Sequence, residues 1–213
     1  IAESIEKQIN NHFKNKKDAE LIKYKVLNLG MNSYSVSDEI SSYVHLIYNL
    51  KPEFIISHSG YNDFYYASQV PKQFGEELGL NFMPNMYCWT VRMFYLKKCP
   101  KNYYKYKYNS DVNNNKILNF YKKNVKKFKT IVEENDGTFI FGLQGYEIDF
   151  MDQRHKGTKN LYDLITNEEN NIFDINFVDF KKIKYEDIVH SKSANGPQII
   201  AKAYVDLIID KLN

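Results

Sequence analysis

Two short apolar runs, Tyr24 to Leu29 and Phe54 to Ser57, each lead to a glycine, and stretches of helical period separate them from a third run, Thr138 to Leu143. That alternation constrains the fold more than any other feature of the chain. Strands separated by helices close most readily as a parallel sheet, because a parallel neighbour needs a crossover of about a dozen residues or more. Helices on the crossovers then bury both faces of the sheet. The expected fold class is therefore α/β, a three-layer α/β/α sandwich around a mostly parallel sheet.

The remaining elements follow from periodicity. Ile1, Ile5, Ile9 and Phe13 recur at helical spacing, so residues 1 to about 14 read as an amphipathic helix already under way at the first residue. Ser37-Asp38-Glu39 can open a second helix, with Ile40, Val44, Ile47 and Tyr48 on its apolar face and its end before Pro52. A long connection runs from about Tyr65 to Pro100, with helices expected near 66–78 and 85–98, and it carries the only tryptophan, Trp89. Residues 101–116, rich in Tyr, Asn and Lys, read as a loop. Ile117, Tyr121, Val125, Phe128 and Val132 mark a helix whose outer face of lysines, Lys122 to Lys129, is expected to be solvated. An Asp136-Gly137 turn precedes the third run, Phe173 to Val178 is a weaker fourth strand, and Ile199 to Leu212 is a closing helix. With no internal repeat and no linker, residues 1–213 read as a single domain.

Composition narrows the function classes. A chain of 213 residues that is 43% hydrophobic and 26% charged has ample material for a core. A net charge of +3 gives no reason to expect nucleic acid as a partner. The two cysteines, Cys88 and Cys99, form no metal-type spacing and read as structural thiols. No apolar run approaches the ~18 residues that span a bilayer. No secretory signal is visible, so the compartment is left open and a membrane anchor has room only upstream of Ile1.

In open parallel sheets, functional groups collect in the loops beyond the carboxyl ends of the strands. Gly30, the Gly60-Tyr61-Asn62-Asp63 turn and Gln144 all fall there. Near the end of the chain, Asp187-Ile188-Val189-His190 follows a reversal and precedes a Gly-containing loop. Asp187 can accept a hydrogen bond from the imidazole Nδ1–H and leave Nε2 of His190 free to take a proton, the orienter-plus-base half of a catalytic triad. Each piece also has a plain reading. His190 alone would be a surface histidine, Asn62 a turn residue and Gly30 a strand end. Asp63 reads as a cap or loop brace, and His58, two residues before Gly60, could line the rim.

Taken in order, Val26-Leu27-Asn28-Leu29-Gly30, Ser59-Gly60-Tyr61-Asn62-Asp63 and Asp187-Ile188-Val189-His190 resemble the second, third and fifth blocks of the SGNH hydrolases, the GDSL-like lipases and esterases. Leu143-Gln144-Gly145 is similar to the Leu-Gln-Pro that ends a strand in many members, with Gly145 in place of Pro. Gly196-Pro197-Gln198-Ile199-Ile200-Ala201 matches the run after the catalytic histidine. The resemblance covers most of residues 20–205. It implies that the Gly30 N–H and the Asn62 amide form an oxyanion hole, that His190 is the general base and then the acid, and that Asp187 holds its tautomer.

One block departs from the family. Its nucleophile is a serine in a G-D-S-type block after the first strand, and no such block precedes Gly30. Ser4, the one serine before Ser33, lies within the helical pattern. The resemblance therefore implies that the nucleophile, and a first strand normally central in the sheet, lie upstream of Ile1. The expected activity is that of a serine esterase removing a small acyl group, with a carbohydrate O-acetyl ester as the substrate class and with no metal or organic cofactor. An acyltransferase using the same residues is the nearest alternative, and a noncatalytic binding module lacking the nucleophile is the alternative from another class.

Overall fold

The computed structural model describes residues 1–14, 23–31, 34–69, 114–144, 159–161 and 196–212. Helix α1 spans Ala2–Lys14, α2 spans Val36–Ser42, strand β1 spans Phe54–Ser59, and helix α3 spans Tyr61–Gln69. Helix α4 spans Asn114–Glu133, strand β2 Thr138–Leu143, and helix α5 Gly196–Leu212. Among the described residues the sheet is the parallel pair β1–β2, in the register Phe54↔Thr138 to Ser59↔Leu143. Thr138 N–H to the Glu53 carbonyl and Gln144 N–H to the Ser59 carbonyl, both 2.8 Å, extend the pairing past each end.

Alternate residues of both strands divide between two clusters. Ile55, Phe139, Phe141 and Leu143 join Val36, Tyr43, Tyr121 and Phe128 of the α2 and α4 side. Phe54, Ile56 and Ile140 join Ile5, Ile9, Tyr204 and Ile208 of α1 and α5. This is the period-2 consequence of a strand that is apolar at successive positions. Burying one such side chain stabilises the fold by about 1.5–3 kcal/mol. Asp136, at φ +62°, ends α4 in the left-handed region, with Gly137 N–H on the Val132 carbonyl and Asp136 N–H on that of Glu133. Those bonds cap the helix and turn the chain into β2.

Three elements differ from the sequence reading. Helix α2 opens one residue before Ser37, on an N-cap at Ser35, and widens into a π-helical turn over Tyr43–Ile47 before a 3₁₀ turn over Tyr48–Leu50. Its core face is Val36, Ile40, Tyr43 and Ile47, while Val44 and Tyr48 are exposed. Tyr43 wins the inward position because its ring packs on Phe128 and its hydroxyl accepts from buried Asn135 Nδ2 at 3.0 Å. Helix α3 begins at Tyr61, directly after Gly60, rather than near residue 66. Helix α4 starts inside the stretch read as a loop.

The most informative difference is at residues 23–30, which form no strand. Side chains of α1 satisfy the backbone of Tyr24 and the N–H of Val26 instead. Asn10 accepts from Tyr24 N–H and donates to its carbonyl, each at 2.9 Å, and Glu6 accepts from Val26 N–H at 2.9 Å. Lys25 adds an ion pair to Glu6 at 3.1 Å. A β-type run becomes a strand only where a neighbouring backbone lies within reach, and here none among the described residues does. The fourth strand expected at 173–178 and most of the 65–100 connection, including Cys88, Trp89 and Cys99, lie outside the described residues. No helix among them is long and apolar enough to cross a membrane.

Candidate active site at the carboxyl end of β1

Gly60 controls the geometry of this rim. Its φ of +130° is a conformation that side-chain-bearing residues rarely adopt, and a Cβ there would lie 2.5 Å from Leu143 Cδ1 and 3.0 Å from Tyr121 Oη. The chain therefore leaves β1 and enters α3 without a spacer, and Asn62 falls in the first helical turn. Phe64 N–H closes that turn on the Gly60 carbonyl at 3.0 Å. The Phe64 ring, fully buried, sits edge-on 4.7 Å from Tyr121 and fixes α3 on α4.

From this position Asn62 reaches the chain that follows Gly30. Its Nδ2 donates to the Tyr34 carbonyl at 3.0 Å. One residue on, the Asp63 carboxylate accepts from Val36 N–H, at 3.1 and 3.3 Å to its two oxygens. Val36 is the first residue of α2, where unpaired N–H groups and the helix dipole favour a negative charge. Asp63 thus braces α2 rather than capping its own helix. The two motifs singled out in the sequence, around Gly30 and Gly60, are tied together by these bonds.

Two further carboxylates crowd the same helix start. Asp38 accepts from the N–H and the hydroxyl of Ser35, at 2.9 and 2.7 Å. Glu39, from α2, accepts from the Ser57 hydroxyl on β1. Burial pushes the Glu39 carboxyl up to about 7; the Ser57 hydrogen bond opposes this and Asp38 reinforces it. Burial also raises Asp63 well above the usual carboxylate range, against the pull of the Val36 N–H and with the Glu39 charge adding to it. Ser59, on the same strand face as Ser57, is buried with its hydroxyl unpartnered among the described residues. These acidic groups stand behind the rim and hold it. They were missed in the sequence, although polar serines at every second position of an apolar strand are a signal that buried partners exist.

Gly30 itself is exposed, and its N–H donates to Asn28 Oδ1 at 3.2 Å. Of the expected oxyanion donors, each therefore holds an internal acceptor: an exposed, rotatable side chain for Gly30 and a carbonyl for Asn62. The Asn62 amide carries a second N–H that the Tyr34 carbonyl does not use. Asp187 and His190 lie outside the described residues, so the structure brings together the Gly30 and Asn62 segments only.

The opposite face of β1 carries a pair that sequence reasoning also missed. His58 does not line the rim: its Nδ1 lies 2.7 Å from Tyr204 Oη of α5, with the rings edge-on. Gly142, the register partner of His58, makes room for that phenol, since a Cβ there would stand 2.8 Å from Tyr204 Cζ. A glycine inside a strand marks such a close approach, and this was the available signal. Burial lowers the His58 imidazole to about 4, so it is neutral near pH 7. Burial raises Tyr204, and the Glu39 charge adds to the shift. The pair fastens α5 to the sheet. Among the described residues no three His, Cys, Asp or Glu side chains converge as a metal site.

No family model, no curated protein and no solved structure matches this chain.

Proposed function

We propose that this chain carries most of an SGNH-type serine esterase domain, built as a three-layer α/β/α sandwich, whose nucleophilic serine lies upstream of Ile1 and whose substrate is a small acyl ester, a carbohydrate O-acetyl group being the substrate class. One observation carries the reading. The Gly60 turn sets Asn62 at the carboxyl end of a parallel strand, and Asn62 and Asp63 hold the chain that follows Gly30 against it. An uncharged amide and a glycine N–H on one rim suit a site that must stabilise a transient oxyanion without a permanent ion pair.

In this mechanism His190 takes the serine proton as the hydroxyl attacks the ester carbonyl, and Asp187 fixes the imidazole tautomer. Gly30 N–H and the Asn62 amide receive the negative charge that develops on the carbonyl oxygen. Collapse expels the alcohol, protonated by His190, and leaves an acyl-serine. Water, deprotonated by His190, then releases the acid and restores the enzyme.

The test uses the intact polypeptide with p-nitrophenyl acetate and an acetylated oligosaccharide. His190→Ala is expected to lower kcat at least about 10³-fold, and Asn62→Ala by about 10²–10³-fold with little change in KM. Turnover unchanged in His190→Ala ends the proposal. Transfer of the acetyl group to an added glycan in place of acetate release reassigns the same residues to an acyltransferase.

A further inference from the structure

Tyr34, Ser35 and Val36, where the chain enters α2, are each held by a side chain. Ser35 is extended, at φ −95° and ψ 170°, and its N–H and hydroxyl both donate to Asp38. In extended backbone the polar groups of residues i and i+2 point to the same edge. The Tyr34 carbonyl and the Val36 N–H therefore face one way, and both meet the first turn of α3. Asn62 Nδ2 donates to the carbonyl at 3.0 Å, and the Asp63 carboxylate accepts from the N–H at 3.1 Å.

The match is one of polarity. A carbonyl only accepts and a backbone N–H only donates, so this edge needs a donor and an acceptor side by side. Asn62 and Asp63 supply them from adjacent positions. The helices behind both partners are fixed by other contacts. Phe64 N–H closes the α3 turn on the Gly60 carbonyl, and its buried ring packs 4.7 Å from Tyr121 of α4. Glu39 ties α2 to β1 through the Ser57 hydroxyl.

An oxyanion donor is effective when its direction is set before the charge develops. The terminal torsion of an asparagine is broad, so an unheld amide samples many directions. Here the Tyr34 carbonyl takes one N–H of Asn62 Nδ2, which orients the amide plane and with it the second N–H. That carbonyl keeps its place because the next two residues are pinned, Ser35 by Asp38 and Val36 by Asp63. A carboxylate suits the last of these positions, since a charge-assisted hydrogen bond is roughly twice as strong as a neutral one. Burial raises the Asp63 carboxyl, and the Val36 N–H is the largest of the influences that draw it back down.

We propose that Asp63 is a positioning residue for the rim amide: by holding the Val36 N–H it fixes the Tyr34 carbonyl, which in turn sets the direction of the second Asn62 N–H. The positioning stands on these bonds, and only its effect on turnover rests on the esterase reading.

The test uses the intact polypeptide, isotope-labelled for NMR and assayed with p-nitrophenyl acetate. In Asp63→Ala the two Asn62 side-chain protons should move toward the shifts and fast exchange of an unconstrained amide, while the β1–β2 amides keep theirs. Asp63→Asn keeps an acceptor for the Val36 N–H and should restore the parent signals. Val36→Pro removes the N–H from the other side, at a first helical position after an extended residue, where a proline backbone fits. It should move the Asn62 signals as Asp63→Ala does.

Turnover adds a signature that a general loss of stability does not give. Asp63→Ala should lower kcat by about 10- to 100-fold with KM little changed. In an Asn62→Ala background the same substitution should cause no further loss, because Asp63 acts through that amide. Asn62 signals unchanged in a folded Asp63→Ala or Val36→Pro protein overturn the proposal. So does an Asp63 effect on kcat that persists in full without Asn62. Loss of the native spectrum in both variants overturns it as well, since Asp63 would then hold the fold rather than the amide. The two proposals fail separately: a molecule without esterase activity removes the enzyme, and the Asn62 signals still report whether Asp63 positions that amide.

Discussion

Val26 to Gly30 and Ile55 to Gly60 are the same kind of sequence, a mainly apolar run that ends in glycine, yet they end in different states. The second is a strand in register with β2, and its glycine is locked at φ +130° against Leu143 and Tyr121. The first forms no strand and is held in part by side chains of α1, and its glycine is exposed, with nothing among the described residues nearer to a Cβ than Asn28 Oδ1 at 3.3 Å. Local propensity is alike in the two runs, and the neighbours differ. A β-run becomes a strand when another backbone completes its hydrogen bonds, and a glycine becomes irreplaceable when the fold closes around it.

The sharpest way to break this contrast is to substitute both glycines. Gly60→Ala combines a positive φ with a Cβ driven into Leu143, and it should lower unfolding free energy by about 2–4 kcal/mol. Gly30→Ala should stay within about 0.5 kcal/mol, as exposed positions do. Urea denaturation reads both, and equal losses would show that the two turns are under the same constraint. In the proposed enzyme the order inverts at Gly30, where a small stability effect should accompany a loss of turnover, because a methyl group stands where the substrate carbonyl approaches.

The carboxylates behind the rim yield a second measurement. Burial raises Glu39 from its ordinary 4.5 to about 7 in the folded state. The unfolded chain therefore loses this proton at lower pH than the native one does. The stability associated with protonated Glu39 is complete below about pH 4.5 and declines as pH rises through about 7, with an upper bound of about 3 kcal/mol. Asp63 is raised by burial and by the Glu39 charge, so it slopes in the same direction. Glu39→Gln keeps an acceptor for Ser57 and cannot ionise, and it should flatten the fall between pH 5 and 7. A variant with the slope of the parent protein would move the titration to another group.

Much of the frame was legible in the sequence because it follows from period. The Ile5 and Ile9 stripe, the Ile117 to Val132 face and the β1 and β2 runs are each dictated by which positions can share a core. The rim was legible too, because Gly60 and Asn62 belong to a turn just past a strand. What was not legible depends on contacts distant along the chain. Tyr43 rather than Val44 faces inward because Asn135 and Phe128, about 90 residues away, receive it. Glu39 has a role only through Ser57, and Gly142 only through Tyr204. Residues 24–29 failed as a strand for the same reason, since no local pattern states whether a neighbour is present.

The smallest expected effect probes what replaces that neighbour. Asn10 presents its amide to Tyr24 as an opposing residue in a sheet would, accepting from the N–H and donating to the carbonyl, both at 2.9 Å. The site is only partly buried, so water can take over some of this bonding when the amide is lost. Asn10→Ala should therefore cost about 1 kcal/mol. The loss should be local. Exchange at the Tyr24 amide should accelerate, while the Ile55 amide, which points into the β1–β2 ladder, keeps its protection. Asn10→Asp retains the acceptor for the N–H and removes the donor to the carbonyl, so it should fall between parent and alanine. If Asn10→Ala instead released β1 and the 23–26 segment together, the two regions would form one cooperative unit, and the contrast between a locked strand and a stretch held by α1 would not survive.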